Sequence, residues 1–274
     1  MSETWKQGEV VRFDAGGATL EGKAYGPPPA QAHTIVMLHE GLGCAALWRD
    51  FPEKLAARTG LGVFAYSRRG YGGSDPADLP RPLDYMTREA VDVLPVVLDA
   101  IGFRRGLLLG HSDGASIAAL YLGDRQDPRI RGLVLMAPHF FTEPIGLAAI
   151  AEAKSAYESG DLRQRLAKYH RDVDGAFRGW NEAWLDPAFK AWNIEDAIDY
   201  VRVPVLAIQG SADQYGTLAQ IDALEDRLYA PLDRVVLEGA RHSPFIDRPS
   251  DTLDAVADFV ARLERIDADT AAVQ

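Results

Sequence analysis

The segment Leu107-Leu108-Leu109-Gly110-His111-Ser112-Asp113-Gly114-Ala115-Ser116-Ile117 constrains the fold more than any other part of the chain. It carries the pattern G-x-S-x-G, with an apolar strand running directly into it and a small-residue helix running directly out. A serine at so sharp a strand-to-helix turn takes a strained backbone, and small residues two positions to either side let strand and helix approach closely enough to hold it. The turn lifts the hydroxyl above the sheet edge, where the N-terminus of the helix aims its N–H groups at the same space. Ser112 is therefore the candidate nucleophile, weighed against a plain helix-capping role for its hydroxyl.

The rest of the chain repeats that strand-then-helix rhythm. Short continuous apolar runs at Thr34–Leu38, Gly62–Tyr66, Gly106–Leu109, Gly132–Met136 and Pro204–Ile208, with a further candidate at Val235–Leu237, alternate with helical segments at Trp48–Arg58, Tyr85–Ile101, Ala115–Leu122, Leu218–Tyr229 and Thr252–Leu263. Such runs describe strands buried on both faces by crossover helices, so the class is α/β with a mainly parallel sheet. Glu9–Phe13 and Ala18–Tyr25 alternate around Gly16-Gly17 and read as a hairpin. The rhythm breaks once, over His139–Tyr200, which reads as several helices without a strand and holds Trp180, Trp184 and Trp192. A structureless loop of that length is improbable in a compact domain, so 139–200 is expected to form a helical cap subdomain on a core made of 1–138 and 201–274. The polar tail Asp267–Gln274 is expected to fray.

Composition excludes several function classes. With 47% hydrophobic and 25% charged residues the chain is too apolar for a disordered one. Its formal net charge of −11, with no basic stripe, removes the electrostatic term that nucleic acids and anionic membrane surfaces reward. The single cysteine, Cys44, forms neither an internal disulfide nor a multi-cysteine zinc site. Met1–Val10 has neither the basic start nor the apolar run of a secretion signal, and the expectation is a cytoplasmic protein. No His, Asp and Glu cluster at ligand spacing calls for a metal, and Gly70–Gly73 lacks the lysine and helix context of a phosphate loop, so no cofactor is expected.

A serine hydroxyl is a poor nucleophile at neutral pH, so a base must take its proton and an acid must orient that base. Of the six histidines, His242 lies in a loop after the last strand and before the last long helix, where a base can reach across the sheet edge. Asp213, just past the strand ending at Ile208, is the acid candidate, with Asp247 as runner-up in a position that reads more simply as a helix cap. The order Ser112, Asp213, His242 resembles that of the α/β-hydrolase fold. Leu38-His39-Glu40-Gly41-Leu42-Gly43 is similar to that family's oxyanion loop, and Ser67-Arg68-Arg69-Gly70-Tyr71-Gly72-Gly73-Ser74 to its Arg-Gly-x-Gly-x-Ser loop. Glu40 departs from the family pattern where a glycine is common, and Ser67 where an aspartate is frequent.

The resemblance implies a cofactor-free hydrolase whose oxyanion-hole donors are the backbone N–H groups of Asp113 and of Gly41, with Leu42 as the alternative to Gly41. A serine nucleophile points away from the dehalogenases and epoxide hydrolases of the fold, whose nucleophile is typically aspartate. The expected substrate is a small-molecule carboxylic ester. C–C bond hydrolases, thioesterases and lactonases share the triad, and a ligand receptor with slow turnover is a rival of another class. A homo-oligomer is compatible with the sequence. Glu40, His139, Trp180, Trp184 and Trp192 are the candidates for the substrate pocket, although aromatic residues in a small subdomain also serve as its core. Glu40 is expected either to reach the site or to pair with an arginine such as Arg69. Asp113 is expected either to add a second carboxylate beside the serine or to point into solvent.

Overall fold

The computed structural model describes residues 4–273. Eight strands form one sheet in the order β1-β2-β4-β3-β5-β6-β7-β8: β1 (Val10–Ala15), β2 (Ala18–Tyr25), β3 (Thr34–Leu38), β4 (Gly62–Ser67), β5 (Gly106–His111), β6 (Ile130–Met136), β7 (Val205–Gly210) and β8 (Leu232–Leu237). The β1–β2 and β2–β4 pairs are antiparallel and the remaining five are parallel. The sheet explains the continuous apolar runs. Along β3, Ile35 and Met37 face one hydrophobic cluster with Val63, Leu107 and Val134, whereas Val36 and Leu38 face another with Phe64, Leu108 and Leu133. Side chains alternate across a strand, so covering both faces demands that every position be apolar.

Helices α1 (Phe51–Thr59), α2 (Tyr85–Arg88), α3 (Leu94–Ala100), α4 (Asp113–Asp124), α5 (Pro144–Ser159), α6 (Leu162–Leu166), α7 (Val173–Trp184), α8 (Ala219–Arg227), α9 (Pro244–Asp247) and α10 (Pro249–Val273) complete the described fold. The helix expected over 48–58 is divided, because Arg49 takes φ 56° between a short 3₁₀ turn at Ala45–Trp48 and α1. That expected over 85–101 carries a π turn at Glu89–Val93 just before Pro95. Proline cannot donate to the carbonyl four residues back and its ring crowds it. The freed Val91 carbonyl accepts from Arg125 at 3.1 Å instead.

Residues 139–200 interpose α5, α6, α7 and two 3₁₀ turns between β6 and β7, with a single isolated bridge, Phe141 to Asn193, as the extended pairing among them. At the C-terminus the expected fraying is corrected as far as Val273, Gln274 lying outside the described residues. The backbone stays helical to Val273, and Asp267 accepts hydrogen bonds from Arg105 and Arg131. Among the described residues no helix is long and apolar enough to cross a membrane.

Candidate active site

Ser112 sits between β5 and α4 with φ 54° and ψ −120°, a conformation that side-chain-bearing residues rarely adopt. Strain of this kind, on the order of 1–3 kcal/mol, persists only where the surroundings over-determine it. Here the Ser112 N–H donates to the Met136 carbonyl at 2.9 Å, and the Ser112 carbonyl accepts from Ala115 N–H at 2.8 Å and Ser116 N–H at 3.1 Å. The glycine spacing has a steric cause. A Cβ on Gly114 would lie 2.1 Å from the Leu38 carbonyl oxygen, and one on Gly110 would lie 2.3 Å from that of Gly114.

The loops after β7 and β8 are laced together at the same end of the sheet. Ser211 N–H donates to the Leu237 carbonyl, Ala212 N–H to the Ala240 carbonyl, and Gly239 N–H to Ser211 Oγ. This brings Asp213 against His242, whose Nδ1 lies 3.0 and 2.9 Å from the two carboxylate oxygens. The carboxylate also accepts from Tyr215 N–H at 2.8 Å and Gln209 Nε2 at 2.9 Å. Burial works to raise Asp213, but the His242 hydrogen bond and charge and the Tyr215 N–H outweigh it and hold the carboxyl below its ordinary value. An ionised Asp213 on Nδ1 fixes the imidazole proton there and leaves Nε2 with its lone pair. Asp247 does not reach His242; it accepts from Arg241 N–H at 2.8 Å and closes its own loop.

The loop after β3 is oriented by Arg68, which is wholly buried. Its guanidinium donates to the His39 carbonyl and, at 3.2 Å, to the Glu40 carbonyl, which also accepts from His39 Nδ1 at 2.7 Å. Across a planar trans peptide the N–H points opposite the C=O, so anchoring the Glu40 carbonyl on this side turns the Gly41 N–H to the other. Among the described residues the N–H groups of Gly41, Leu42 and Asp113 have no hydrogen-bond partner, and all three residues line the cavity beside Ser112. His39 is held in place by accepting Arg68 N–H on Nε2 at 3.0 Å. Burial and the Arg68 charge push it well below the ordinary histidine value, so it stays neutral.

Of the alternatives expected for the extra carboxylates, Glu40 reaches the site, since it lines the cavity beside Ser112, and Asp113 belongs to the same lining. Glu40 does not pair with Arg69, which binds Asp78 and the Pro76 carbonyl. Its Oε2 instead faces His111 Nδ1 at 3.3 Å, and His111 Nε2 lies 2.7 Å from the His242 carbonyl. A carbonyl only accepts, so Nε2 bears a hydrogen, and the Nδ1–Oε2 contact holds one more proton between base and acid. Burial favours the neutral acid at Glu40, but the His111 hydrogen bond and charge prevail and lower its pKa. Asp113 does not point into solvent. It is 1% exposed, and its Oδ2 accepts from the Tyr85 hydroxyl, which accepts in turn from Trp184 Nε1 at 3.1 Å. Burial, opposed by the Arg68 charge, raises its pKa.

A cavity of about 180 Å³ is lined by Glu40, Gly41, Leu42, Ser112, Asp113, His139, Trp180, Trp184 and His242, and also by Ile150, Gln214, Tyr215 and Ser243. Trp180 lies so close to the loop that a Cβ on Gly41 would come 2.2 Å from its indole ring. Trp192, expected in the pocket, is not among the lining residues. It stacks on Phe189 at 5.2 Å and meets Trp184 edge-on at 5.7 Å, within the packing of its own segment. Asp213 lies behind His242 rather than in the wall. Gln209, Tyr85, Gln214 and Tyr215 escape sequence reasoning because only tertiary contact gives them a place here.

Among curated proteins, the chain is 28% identical to epoxide hydrolase B of Mycobacterium tuberculosis over 171 residues, 62% of this chain and 44% of that protein, so it spans less than half of that relative's length. It is 27% identical to the pimeloyl-(acyl-carrier protein) methyl ester esterase of Aeromonas salmonicida, covering 84% of this chain and 96% of that one. Among solved structures, its fold is similar to that of a serine hydrolase involved in carbazole degradation, CarC, with TM-score 0.73, 17% identity and coverage of 92% and 98% of the two chains. The thermophilic esterase of Thermogutta terrifontis gives TM-score 0.71 at 15% identity, covering 93% of this chain and 99% of the other. The Alpha/beta hydrolase family matches residues 35–256, and the chain belongs to that family.

Proposed function

We propose that the protein is a serine hydrolase acting on neutral carboxylic esters through Ser112, His242 and Asp213. The observation that carries this reading is the placement of a strained Ser112 and of His242, its Nδ1 held 2.9 Å from Asp213, in the wall of one cavity that also presents unpartnered backbone N–H groups. In the reaction, His242 Nε2 takes the hydroxyl proton as Ser112 Oγ bonds to the ester carbonyl carbon. The oxyanion rests on the N–H groups of Asp113 and Gly41. Collapse expels the alkoxide, which leaves as the alcohol with the proton from His242. Water, deprotonated by His242, then attacks the acyl-serine and releases the acid while Ser112 regains its hydrogen. Asp213 holds the imidazole tautomer and stabilises the imidazolium without becoming protonated. Support for Gly41 over Leu42 as second donor comes from the anchored Glu40 carbonyl. The segment 139–200 forms the roof, through Trp180 and Trp184.

The similarity to an epoxide hydrolase does not favour epoxide opening here, because the position between β5 and α4 is a serine, which suits acyl transfer. Support for an ester comes from the similarity to a methyl ester esterase over most of both chains. The test is mass-spectrometric labelling by a fluorophosphonate, together with turnover of a panel of esters, thioesters, lactones and vinylogous diketones. Labelling at Ser112, its loss in Ser112→Ala, and fastest turnover of esters are expected. Labelling without turnover of any class would sink the enzymatic part of the reading, and fastest cleavage of a diketone would move it to C–C bond hydrolysis.

A further inference from the structure

We propose that the cavity wall beside His242, built from His139, Gln214 and Tyr215, is a hydrogen-bonding subsite that receives a neutral hydroxyl group carried on the acyl part of the substrate.

His139 is 5% exposed, lines the cavity, and neither of its ring nitrogens has a hydrogen-bond partner among the described residues. Neither nitrogen is sealed off, so both are open to a polar group of a molecule in the cavity. The position is built rather than loose. Ser116 Oγ donates to the His139 carbonyl at 2.6 Å and the next residue's N–H donates to Gln220 Oε1 at 2.7 Å, so the backbone is fixed on both sides. The ring is wedged edge-on against Trp184 at 5.4 Å and beside His242 at 5.6 Å, and a Cβ on Gly216 would lie 3.1 Å from its Cε1. A second, independent vacancy in hydrogen bonding adjoins it. Gln214, in the same cavity wall, holds its Oε1 buried and without a partner.

The chemistry of this wall selects its ligand. His139 is kept neutral, at about 3, by burial and by the neighbouring His242 charge. A neutral imidazole offers one donor and one acceptor, and the Gln214 oxygen offers an acceptor. Tyr215, whose ring lies 4.7 Å from that of His242, has its phenol raised by burial and by Asp213 and is neutral too. A hydroxyl, which donates once and accepts, matches this set. A carboxylate does not, because no lysine or arginine lines the cavity while Glu40 does and Asp213 stands behind His242. Leu42, Ile150, Trp180 and Trp184 supply the apolar surface for the rest of the acyl group. A volume of about 180 Å³ suits one aromatic ring, since cavities of roughly 150 Å³ accept benzene. The substrate class is thus a compact, hydroxylated, uncharged acyl ester.

The subsite deepens the ester-hydrolase reading, and two readouts separate their failures. The first compares kcat/KM for methyl benzoate and its three monohydroxy isomers in the parent and in His139→Phe and Gln214→Leu. At least one hydroxylated ester should be favoured by tenfold or more in the parent, and both variants should pull that ratio to within about threefold. Rates that fall equally for hydroxylated and plain esters, leaving the ratio intact, would assign His139 and Gln214 to support of His242 and overturn the subsite. The second measures, by calorimetry on Ser112→Ala, the affinities of benzamide and its monohydroxy isomers, which needs no turnover. Discrimination by tenfold or more there supports the subsite even where every ester fails as a substrate. Equal affinities of benzamide and all three isomers overturn it even where esters are turned over.

Discussion

At the scale of single residues, the candidate site gathers groups whose protonation is set by one or two neighbours each. Asp213 receives His242 Nδ1, Tyr215 N–H and Gln209 Nε2, so all its bonds are to donors and the ionised form is the one they favour. Replacement by asparagine puts an amide N–H₂ among those donors and favours the other imidazole tautomer, whose proton sits on Nε2. Turnover of a neutral ester by Asp213→Asn should therefore fall about 10⁴-fold with KM little changed. Asp247→Asn, which alters the loop-closing bond to Arg241 N–H, should stay within a few fold of the parent. Steady-state kinetics on both variants decides the matter. A silent Asp213→Asn with a crippled Asp247→Asn would reverse the assignment of the acid. The residue scale is also where the sequence was most legible, because strand, G-x-S-x-G and small-residue helix are contiguous and their steric reason is local. Glu40 shows the opposite case. Its departure from the family pattern is visible in the sequence, but its partner His111 lies 71 positions away and nothing in the spacing selects it over Arg69.

At the scale of elements, β1 and β2 showed by alternation, whereas β3 to β7 were readable because they are buried on both faces at nearly every position, which leaves an uninterrupted apolar run. Helix interruptions were not, since the turn at Arg49 and the π turn before Pro95 answer to packing and to where a freed carbonyl finds a donor. The inserted segment illustrates the limit further. Its three tryptophans look alike in sequence, yet Trp180 and Trp184 line the cavity while Trp192 packs on Phe189. His170 ties this segment down: its Nδ1 accepts Gly72 N–H at 3.0 Å and its Nε2 donates to the Leu42 carbonyl at 3.1 Å, spanning from the segment to the loop after β3. Substitutions should sort accordingly. Trp192→Ala should lower unfolding free energy by roughly 2 kcal/mol, less than a fully buried tryptophan because Trp192 is half-buried, and leave the ranking of ester substrates as it was. Trp180→Ala should change that ranking, by opening the space over Gly41. Urea unfolding and a substrate panel on the two variants test the division, and a shifted ranking in Trp192→Ala alone would place the wrong tryptophan in the roof.

At the scale of the whole molecule, the distribution of buried histidines couples folding to pH. Burial holds His39, His139 and His170 below the ordinary histidine value, His139 to about 3, with the nearby positive groups Arg68 and His242 reinforcing it at the first two. A histidine whose pKa is lower folded than unfolded releases its proton on folding. Below about pH 6.5 the unfolded chain therefore binds protons that the folded one refuses, and stability falls as pH falls. The lowered carboxylates Asp213 and Glu40 add loss in the same direction, but only below the ordinary carboxylate range. Asp113 and Glu89, raised chiefly by burial, oppose it, since the folded chain takes up their protons first as pH drops. The sum mixes signs, so the informative quantity is the difference made by one group. For a histidine moving from about 6.5 unfolded to about 3 folded, going from pH 7.5 to 5.0 costs about 2 kcal/mol. His139→Phe keeps a ring between Trp184 and His242 and removes the titration, so its unfolding free energy should drop by about 2 kcal/mol less than the parent's over that interval. Urea unfolding of both proteins at the two pH values measures this directly. Equal drops in parent and variant would mean that His139 takes up its proton in the folded state as readily as in the unfolded one, and the neutral, unpartnered imidazole in the cavity wall would have to be abandoned with it.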